Sequence, residues 1–319
     1  MRAIAIERHG GAEVLELRDF PTPEPGPGEL LVETAAIGVN YRDVYERKVP
    51  GYAGPLPRVV GVEGAGTARA VGDGVEELRP GDRVAWVDAA GSYAEQVVVP
   101  AEKAVPIPDG VGAEEAAAVL LQGMTAHYLS ASTYPVREGD RVVVHAAAGG
   151  VGLLLTQLVR LCGGRVLATT STEEKAELAR GAGAEEVVGY DEFRERAGDL
   201  GVDVVYDGVG AATFDASLEA LRPRGTMVLY GAASGQPPPV EPMRLAARSL
   251  YLTRPVLAHY TTTRAELLER AQAVFGVVAE GRLEVRIGAR YPLEEARRAH
   301  EDLESRRTTG KLLLIPGRS

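Results

Sequence analysis

The sequence is poor in the residues that build disulfide frameworks and metal centres. Only one of its 319 residues is a cysteine, Cys162, so neither a disulfide network nor a cysteine zinc cage can form. Because Cys162 lies in an apolar helical stretch, we expect it to be buried. The five histidines are widely scattered and lack the H-x-x-H and H-E-x-x-H spacings of zinc sites. The sequence therefore predicts no protein-bound metal.

Long apolar runs and an excess of positive charge are also missing. No run of about 18 apolar residues occurs, so we expect no membrane-spanning helix. Residues 1–7 alternate and soon meet a charge, which favours a first strand over a signal peptide and indicates a cytoplasmic protein. The formal net charge of −10 argues against binding along a nucleic-acid backbone, although it is compatible with a local basic pocket for one phosphate.

Asparagine is almost absent. Asn40 is the only one in the chain, while arginine, glutamate, proline and alanine are abundant. Depletion of thermolabile amides is common in thermophile proteins, so the composition favours a thermophilic source. The position of Asn40 indicates a functional role only if independent sequence features mark the same position.

The chain up to about residue 120 consists of short alternating segments separated by glycine and proline turns. This pattern is typical of a small, irregular β-barrel. The expected strands are Leu30–Thr34, Gly66–Val71, Arg83–Val87 and Tyr93–Val99. A stretch of helical composition, Ala113–Ser130, follows them.

From Arg141 onward, strands and helices alternate, which predicts a parallel sheet with helices on both faces. The expected strands are Arg141–His145, Arg165–Thr169, Glu186–Val188, Val202–Tyr206, Thr226–Tyr230 and, as a candidate, Ser249–Thr253. The expected helices between them are Val151–Leu161, Glu173–Arg180 and Thr213–Leu221.

The length of the chain favours two domains. Its last part contains helices expected at Arg264–Ala279 and Glu294–Glu304 and a strand at Lys311–Ile315, which are most simply placed back on the first domain. We therefore predict an α/β protein with a first domain of residues 1–121, a doubly wound domain of residues 122–256, and a returning segment of residues 257–319.

A glycine-rich turn joins the first strand of the doubly wound domain to its helix. Residues 146–152 read A-A-A-G-G-V-G, which is G-x-G-x-x-G with alanine at the first glycine position. In this motif Gly149 permits close approach of a pyrophosphate, and Gly152 permits tight packing of the helix on the strand. The helix N-terminus favours an anion. The turn predicts a dinucleotide bound by Ala148, Gly149, Gly150, Val151 and Gly152.

The end of the second strand indicates which dinucleotide is bound. NAD enzymes usually carry an acidic residue there, whereas this chain has Thr170 and Ser171, with Lys175 one turn into the next helix. Hydroxyls and an ammonium group suit a 2′-phosphate, so we favour NADPH. In the alternative interpretation, Thr172 only caps the helix and Lys175 is a solvated surface residue.

Several motifs together resemble the quinone oxidoreductases, the zeta-crystallin-like, zinc-independent group of the medium-chain dehydrogenase/reductase superfamily. In the first domain they are G-V-N-Y-R-D at 38–43, G-V-E-G-A-G at 61–66, Gly72 and G-D-R-V at 81–84. Beyond it they are the glycine turn, Tyr190, Y-L-T-R-P at 251–255, Y-P-L at 291–293 and A-H at 299–300. The resemblance extends over nearly the whole chain and implies a GroES-like β-barrel domain beside a Rossmann domain.

The chain departs from the zinc branch of that superfamily. It has Asn40 where zinc alcohol dehydrogenases have a ligand cysteine, and Val62 where they have a ligand histidine. Without a Lewis acid, alcohol oxidation is poorly supported, whereas reduction of an electrophilic acceptor by NADPH needs no metal. The resemblance implies transfer of hydride, or of electrons, from NADPH to a quinone or similar conjugated carbonyl.

The resemblance also suggests residues around the nicotinamide and the acceptor. Asn40 would lie near both and donate a hydrogen bond to a quinone oxygen, or else only hold its loop. Tyr45 would line the acceptor site, and Tyr41 and Tyr52 would complete an aromatic wall. Glu63 would fix the loop geometry. Further positions implied around the cofactor are Thr125, Tyr190, Tyr230, Gly231, Arg254 and Lys311; Lys311 would reach the 2′-phosphate or be plain surface.

Two other functions remain open on the sequence. An NADPH-dependent reductase of 2-alkenals or enones would use the same hydride geometry. A non-catalytic NADPH-binding protein would also fit, since members of the group serve as crystallins and RNA binders, although the charge of −10 argues against a nucleic-acid partner. The group commonly forms dimers or tetramers through a sheet edge, for which residues 250–253 are the candidate.

Overall fold

The computed structural model describes residues 1–317, which form two compact units. Unit 1 contains residues 1–121 and the chain from Thr263 onward, and unit 2 is Gln122–Thr262. The sequence places the second boundary after residue 256, whereas the structure keeps the following residues in unit 2. The reason is Tyr260, whose ring stacks on that of Tyr128 at 4.3 Å and whose hydroxyl lies 3.0 Å from Thr133 Oγ1.

The first part of the chain is mainly β-structure, ending in a helix that crosses from unit 1 into unit 2. Its elements are β1 (Arg2–Ile6), β2 (Glu16–Asp19), β3 (Glu29–Val39), α1 (Tyr41–Lys48), β4 (Arg58–Val59), β5 (Gly64–Val71), β6 (Arg83–Trp86), β7 (Gln96–Pro100), β8 (Ala104–Pro106) and α2 (Ala113–Tyr128). A π-helical turn at Leu129–Thr133 extends α2.

Unit 2 is a doubly wound Rossmann domain, as the alternating pattern predicted. Its elements are β9 (Arg141–Val144), α3 (Gly150–Leu161), β10 (Arg165–Thr170), α4 (Glu173–Gly181), β11 (Glu186–Gly189), α5 (Tyr190–Leu200), β12 (Val202–Asp207), α6 (Phe214–Ala220), β13 (Leu221–Leu229), α7 (Pro242–Ala246) and β14 (Tyr251–Thr253). The strand order is β11-β10-β9-β12-β13-β14, and all neighbours are parallel.

The returning segment completes the barrel-like sheet of unit 1. It consists of α8 (Arg264–Ala279), β15 (Ile287–Pro292), α9 (Ala296–Glu304) and β16 (Lys311–Ile315). Strand β16 pairs with β3, so the seven-stranded sheet has the order β15-β16-β3-β5-β6-β8, with β7 also on β3. A three-stranded sheet, β2-β1-β4, accompanies it. The last strand is therefore an internal strand, and the residue that begins it, Lys311, lies inside the unit.

Burial explains why the Rossmann strands form where they do. Val142, Val143 and Val144 are fully buried, as expected for a parallel strand covered by helices on both faces. Val144 lies opposite Ala168 of β10 and Tyr206 of β12, so the carboxyl ends of these three strands meet at one edge. That edge is where an open parallel sheet holds its ligands.

Cys162 is exposed, contrary to expectation, because it follows the last helical residue of α3, where the chain turns into Gly163. Within residues 1–317, no helix combines the length and the apolar character that crossing a membrane requires.

Candidate cofactor and acceptor sites

The glycine turn lies between β9 and α3 in unit 2. Ala146 has a φ of +50°, in the left-handed region, and its carbonyl accepts a 2.9 Å bond from the Gly149 N–H. A Cβ on Gly152 would lie 2.4 Å from the Ala146 oxygen and 2.7 Å from the Ala147 Cα, so only glycine lets α3 start this close to the turn. The first N–H groups of α3 lack intrahelical partners and suit an anion.

The segment proposed for the 2′-phosphate lies at the carboxyl end of the neighbouring strand β10. Thr170 is its last residue and is almost fully buried, whereas Ser171 is exposed. The ammonium of Lys175 lies 3.3 Å from Ser171 Oγ, and partial burial lowers the pKa of this lysine. Thr172 does cap α4, because its Oγ1 accepts the Lys175 N–H at 3.3 Å. Thr172 therefore caps the helix while the Lys175 ammonium lies beside Ser171, and no carboxylate occupies positions 170–172.

The remaining residues proposed for the cofactor in unit 2 lie on several elements. Tyr190 begins α5, Tyr230 and Gly231 directly follow β13, and Thr125 is on α2. Burial raises the pKa of Tyr230, with Asp207 as a further cause, so its phenol stays protonated. Arg254 follows β14 and donates a 2.9 Å bond to the Leu229 carbonyl. These positions, Thr125 apart, follow the carboxyl ends of three strands of the sheet, β11, β13 and β14.

Sequence reasoning missed a buried polar cluster at the same edge of unit 2. Asp207 ends β12, and its carboxylate accepts the N–H groups of Val209 and Gly210 at 2.8 and 2.9 Å. Its second oxygen accepts the Thr213 hydroxyl at 2.7 Å, and Ser217 joins it to His145. The D-G-V-G sequence that begins at the last residue of a buried strand was the signal that could have indicated this cluster.

Asn40 belongs to a buried polar cluster in unit 1. Its Nδ2 donates to Glu63 Oε1 at 2.6 Å, and its Oδ1 accepts a 2.9 Å bond from the Lys311 ammonium. Lys311 also forms an ion pair with Glu63. An ammonium only donates and a carboxylate only accepts, so these two partners fix which way the amide points. These contacts hold Asn40 in its loop and fix its side-chain amide in one orientation.

The structure corrects the expectation for Lys311. Its side chain is only 2% exposed, and its ammonium is held by Asn40 and Glu63 inside unit 1. The interpretation of Lys311 as plain surface is therefore wrong. The side chains of Lys311 and Glu63 also pack directly on Gly38, where a Cβ would lie 2.7 Å from Lys311 Cε and 2.1 Å from Glu63 Oε1.

A second buried network lies directly behind Asn40. The Asn40 N–H donates to Asp43 Oδ2 at 2.9 Å, and the Tyr93 hydroxyl donates to the same oxygen at 2.9 Å. Burial raises the pKa of Asp43 to about 6, against the opposing effects of Arg42 and these hydrogen bonds. The Tyr93 oxygen also lies 3.0 Å from Nε2 of His300, so this network ties α1 to α9.

The aromatic wall expected from the sequence is present in unit 1. The Tyr45 ring lies 6.5 Å from that of Tyr41 and 5.7 Å from that of Tyr52, the latter pair edge to face. Tyr52 is 46% exposed, and the guanidinium of Arg42 lies 5.9 Å from its ring centroid. Arg42 also donates to Glu46 at 3.0 Å. Partly exposed rings beside Asn40 form a surface suited to a flat conjugated molecule.

The side chains of residues 1–317 include no group of three or more histidines, cysteines, aspartates or glutamates arranged to hold a metal ion. Two residues stand at the ligand positions of the zinc branch. Asn40 is an amide hydrogen-bonded to two charged partners, and Val62 is a buried aliphatic side chain. The polar groups of this region are thus engaged with one another.

Comparison with known proteins matches both units. The model of the alcohol dehydrogenase GroES-like domain matches residues 26–109, and that of the zinc-binding dehydrogenases matches residues 182–314. A quinone oxidoreductase of Pseudomonas aeruginosa is 42% identical over 99% of both chains. A 2-haloacrylate reductase of a Burkholderia species is 38% identical over 98% of both. The crystal structure of Escherichia coli quinone oxidoreductase complexed with NADPH is 40% identical, with a TM-score of 0.95 over 99% of this chain and all of that one.

A GroES-like domain together with a Rossmann domain that carries the glycine turn defines a medium-chain dehydrogenase/reductase. These relatives align with this chain over nearly its whole length at about 40% identity. The chain therefore belongs to the quinone oxidoreductase family of that superfamily, the zinc-independent group that its motifs resemble.

Proposed function

We propose that this protein is an NADPH-dependent, zinc-independent quinone oxidoreductase. The observation that carries the cofactor choice is the end of β10, where Lys175 lies against Ser171 and positions 170–172 hold hydroxyls instead of a carboxylate. A carboxylate there would repel a 2′-phosphate, whereas an ammonium and hydroxyl groups bind it. Family membership supports the same choice, because the E. coli relative was solved with NADPH.

The residues of unit 2 fit the cofactor. The turn from Ala148 to Gly152 would hold the pyrophosphate, because Gly152 brings the α3 N-terminus against the turn. Thr170, Ser171 and Lys175 would hold the 2′-phosphate. Further contacts would come from Thr125, Tyr190, Tyr230, Gly231 and Arg254. Bound NADPH supplies a hydride, which an electrophilic carbonyl accepts without a Lewis acid.

The residues of unit 1 fit a flat, conjugated acceptor. Tyr45 and Tyr52 offer partly exposed rings against which a quinone would stack. Asn40 immediately precedes the helix that carries Tyr41 and Tyr45, and its amide is held in one orientation by Lys311 and Glu63. In this proposal, Asn40 holds the start of α1 and thereby positions Tyr45 for the acceptor, because its amide N–H groups are directed at Glu63 Oε1 and the Gly38 carbonyl.

A second candidate is an NADPH-dependent reductase of activated C=C bonds in 2-alkenals or enones. It is favoured by the 38% identity to a 2-haloacrylate reductase along the full length of both chains. The same hydride donor and the same aromatic surface would serve both reactions, so the acceptor alone distinguishes them.

The test is a panel of acceptors under steady state, with loss of NADPH absorbance as the readout. We expect kcat/KM to be highest for benzoquinone, naphthoquinone or phenanthrenequinone. Higher efficiency on crotonaldehyde or 2-haloacrylate would establish the second candidate instead. Tight NADPH binding without turnover of any acceptor would indicate a non-catalytic NADPH-binding protein. Tyr52→Ala should raise KM for quinones, whereas the control Met243→Ala, which shortens an exposed apolar side chain of unit 2, should not.

We also infer a cytoplasmic homodimer or homotetramer from a thermophilic source, with no nucleic-acid partner. Strand β14 is the last strand of its sheet, and Tyr251 on it is 63% exposed, which leaves an edge for pairing with a second copy. Light scattering tests the oligomeric state, and thermal unfolding tests the inference from the scarcity of asparagine.

A further inference from the structure

His145 directly follows β9, the first Rossmann strand, and precedes the glycine turn. Its side chain is fully buried, yet both ring nitrogens have hydrogen-bond partners. Nδ1 lies 2.8 Å from the Thr169 hydroxyl and Nε2 lies 2.9 Å from the Ser217 hydroxyl. A buried histidine with two side-chain partners on different elements connects those elements.

The neighbours of Ser217 determine the direction of these bonds. Its Oγ lies 2.8 Å from the Thr213 carbonyl and 3.1 Å from Asp207 Oδ2, and both of those oxygens accept. A serine has one hydroxyl hydrogen, so Ser217 donates it to this pair and accepts a hydrogen from His145 Nε2. The ring is then the Nε2–H tautomer, and its Nδ1 accepts from Thr169. Burial lowers the pKa of His145, which keeps the ring neutral.

These bonds reach the segments proposed to hold the cofactor. Thr169 directly precedes Thr170 and Ser171, and its carbonyl accepts the Ala147 N–H of the glycine turn at 3.1 Å. The strand end carrying the phosphate-binding hydroxyls is thus tied to the turn twice, once through its backbone and once through His145.

The faces and edges of the imidazole make further contacts in the same region. The Tyr190 ring lies 6.3 Å away and nearly parallel, and the Phe193 ring meets the imidazole edge to face at 4.7 Å. Since Tyr190 is also proposed to contact the cofactor, His145 touches the turn, the end of β10 and the start of α5.

We propose that His145 is a positioning residue for NADPH selectivity, which rests on the cofactor assignment made above. As a neutral Nε2–H tautomer anchored by Ser217, it holds the Thr169 hydroxyl and thereby fixes Thr170, Ser171 and Lys175 relative to the glycine turn. It does not contact the reacting atoms, and its effect is on the 2′-phosphate that distinguishes NADPH from NADH.

The experiment separates the two sides of the ring. His145→Asn keeps a polar group near the Nδ1 position and its bond to Thr169, whereas His145→Gln keeps one near the Nε2 position and its bond to Ser217. The readout is the ratio of the Kd values for NADPH and NADH, from fluorescence titration of the full chain. We expect His145→Gln to reduce NADPH selectivity about tenfold, the size of one lost hydrogen bond, and His145→Asn to retain most of it.

A second pair of variants tests the hydrogen bond between His145 and Thr169 by changing Thr169. It keeps the proposal testable if the His145 variants do not fold. Thr169→Val removes the hydroxyl at nearly constant shape, and Thr169→Ser retains it. We expect the valine variant to lose selectivity about tenfold and the serine variant to keep it. A merely structural role would weaken NADPH and NADH binding equally in the valine variant.

The outcomes separate this inference from the proposed function. A wild-type chain that prefers NADPH, with the same preference in Thr169→Val and His145→Gln, overturns the role of His145 and leaves the proposed function intact. A wild-type chain that binds NADH at least as tightly as NADPH overturns the cofactor assignment, and this inference with it.

Discussion

The ammonium of Lys311 lies 2.9 Å from the side-chain amide oxygen of Asn40, a residue 271 positions earlier in the chain. Both side chains are almost fully buried in unit 1, and the carboxylate of Glu63 contacts both. The amide cannot turn without rearranging a buried ion pair, which is strongly unfavourable. The orientation of the only asparagine is therefore a property of the folded unit as a whole.

Replacing Lys311 should destabilise unit 1 markedly. Lys311→Met leaves the buried Glu63 carboxylate without its cation, and breaking a buried pair typically costs about 3–5 kcal/mol. The double variant Glu63→Gln/Lys311→Met removes both charges and should recover most of that loss. Urea unfolding followed by tryptophan fluorescence reports on unit 1, because the single tryptophan, Trp86, lies in its core. If Lys311→Met alone were as stable as the wild type, Lys311 and Glu63 would not form a buried ion pair in solution.

Lys175 should discriminate between the two nicotinamide cofactors. Removing its ammonium with Lys175→Met should weaken NADPH binding about 10- to 100-fold, the range for a hydrogen bond to a charged group, and leave NADH binding nearly unchanged. Titration calorimetry measures both affinities. Glu177→Gln is the matched control, because Glu177 is an exposed residue of the same helix. Equal loss of NADPH and NADH in Lys175→Met would contradict the assignment of the 2′-phosphate subsite.

Gly152 should tolerate no side chain. Gly152→Ala places a Cβ 2.4 Å from the Ala146 carbonyl oxygen, which must displace α3 from the turn and abolish dinucleotide binding. Gly198→Ala is the control, since that helical glycine has open space around its Cβ position. This substitution should stabilise the chain by about 0.5–1 kcal/mol and leave binding intact. NADPH binding that survives in Gly152→Ala would show that the turn does not hold the pyrophosphate.

His300 should make unfolding depend on pH. Burial, reinforced by Arg47 and Lys48, lowers its pKa from 6.5 to about 3, and its Nδ1 has no hydrogen-bond partner among residues 1–317. Between those values the unfolded chain binds a proton that the folded chain does not, so stability from this group is lost as pH falls below 6.5. The loss should approach ~1.4 kcal/mol per pH unit.

Asp43 acts in the opposite direction, so the wild-type curve alone cannot isolate His300. Its pKa is raised to about 6, so the folded chain binds a proton there that the unfolded chain does not, and acid stabilises it down to about 3.8. The informative quantity is the difference in unfolding free energy between the wild type and His300→Gln. That difference should shrink steadily from neutral pH to about pH 5. A pH-independent difference would mean that His300 is protonated or solvated in the folded chain.

Elements with strong local signals could be predicted from the sequence. Helix α8 spans Arg264–Ala279 as expected, because Thr263 and Glu266 form a capping box at its start. The last strand, Lys311–Ile315, also has its expected bounds, since its last four residues are all aliphatic. The glycine turn and the caps around β10 are local patterns of the same kind.

Features that depend on distant partners could not be predicted. Strand β15 alternates exposed residues with half-buried or buried ones, and it is held in place by its pairing with β16. Helix α5 is rich in charge, and its apolar face is narrow, consisting of Phe193, Ala197 and Leu200. Lys311 looked like a surface residue near the chain end, and only its contacts with Glu63 and Asn40, more than 240 positions away, place it in the core. The Asp207 and His145 cluster likewise joins residues from separate strands and helices.

Anaerobic stopped-flow measurement of NADPH oxidation by a quinone tests the proposed function most directly. The enzyme is mixed with NADPH and naphthoquinone, and the nicotinamide absorbance is followed with NADH in a parallel reaction. The account predicts a rate that saturates with quinone and is at least about tenfold faster with NADPH than with NADH at subsaturating cofactor, because one charged contact distinguishes them. NADPH that binds but is not oxidised by quinones, or oxidation at equal rates with both cofactors, would contradict it.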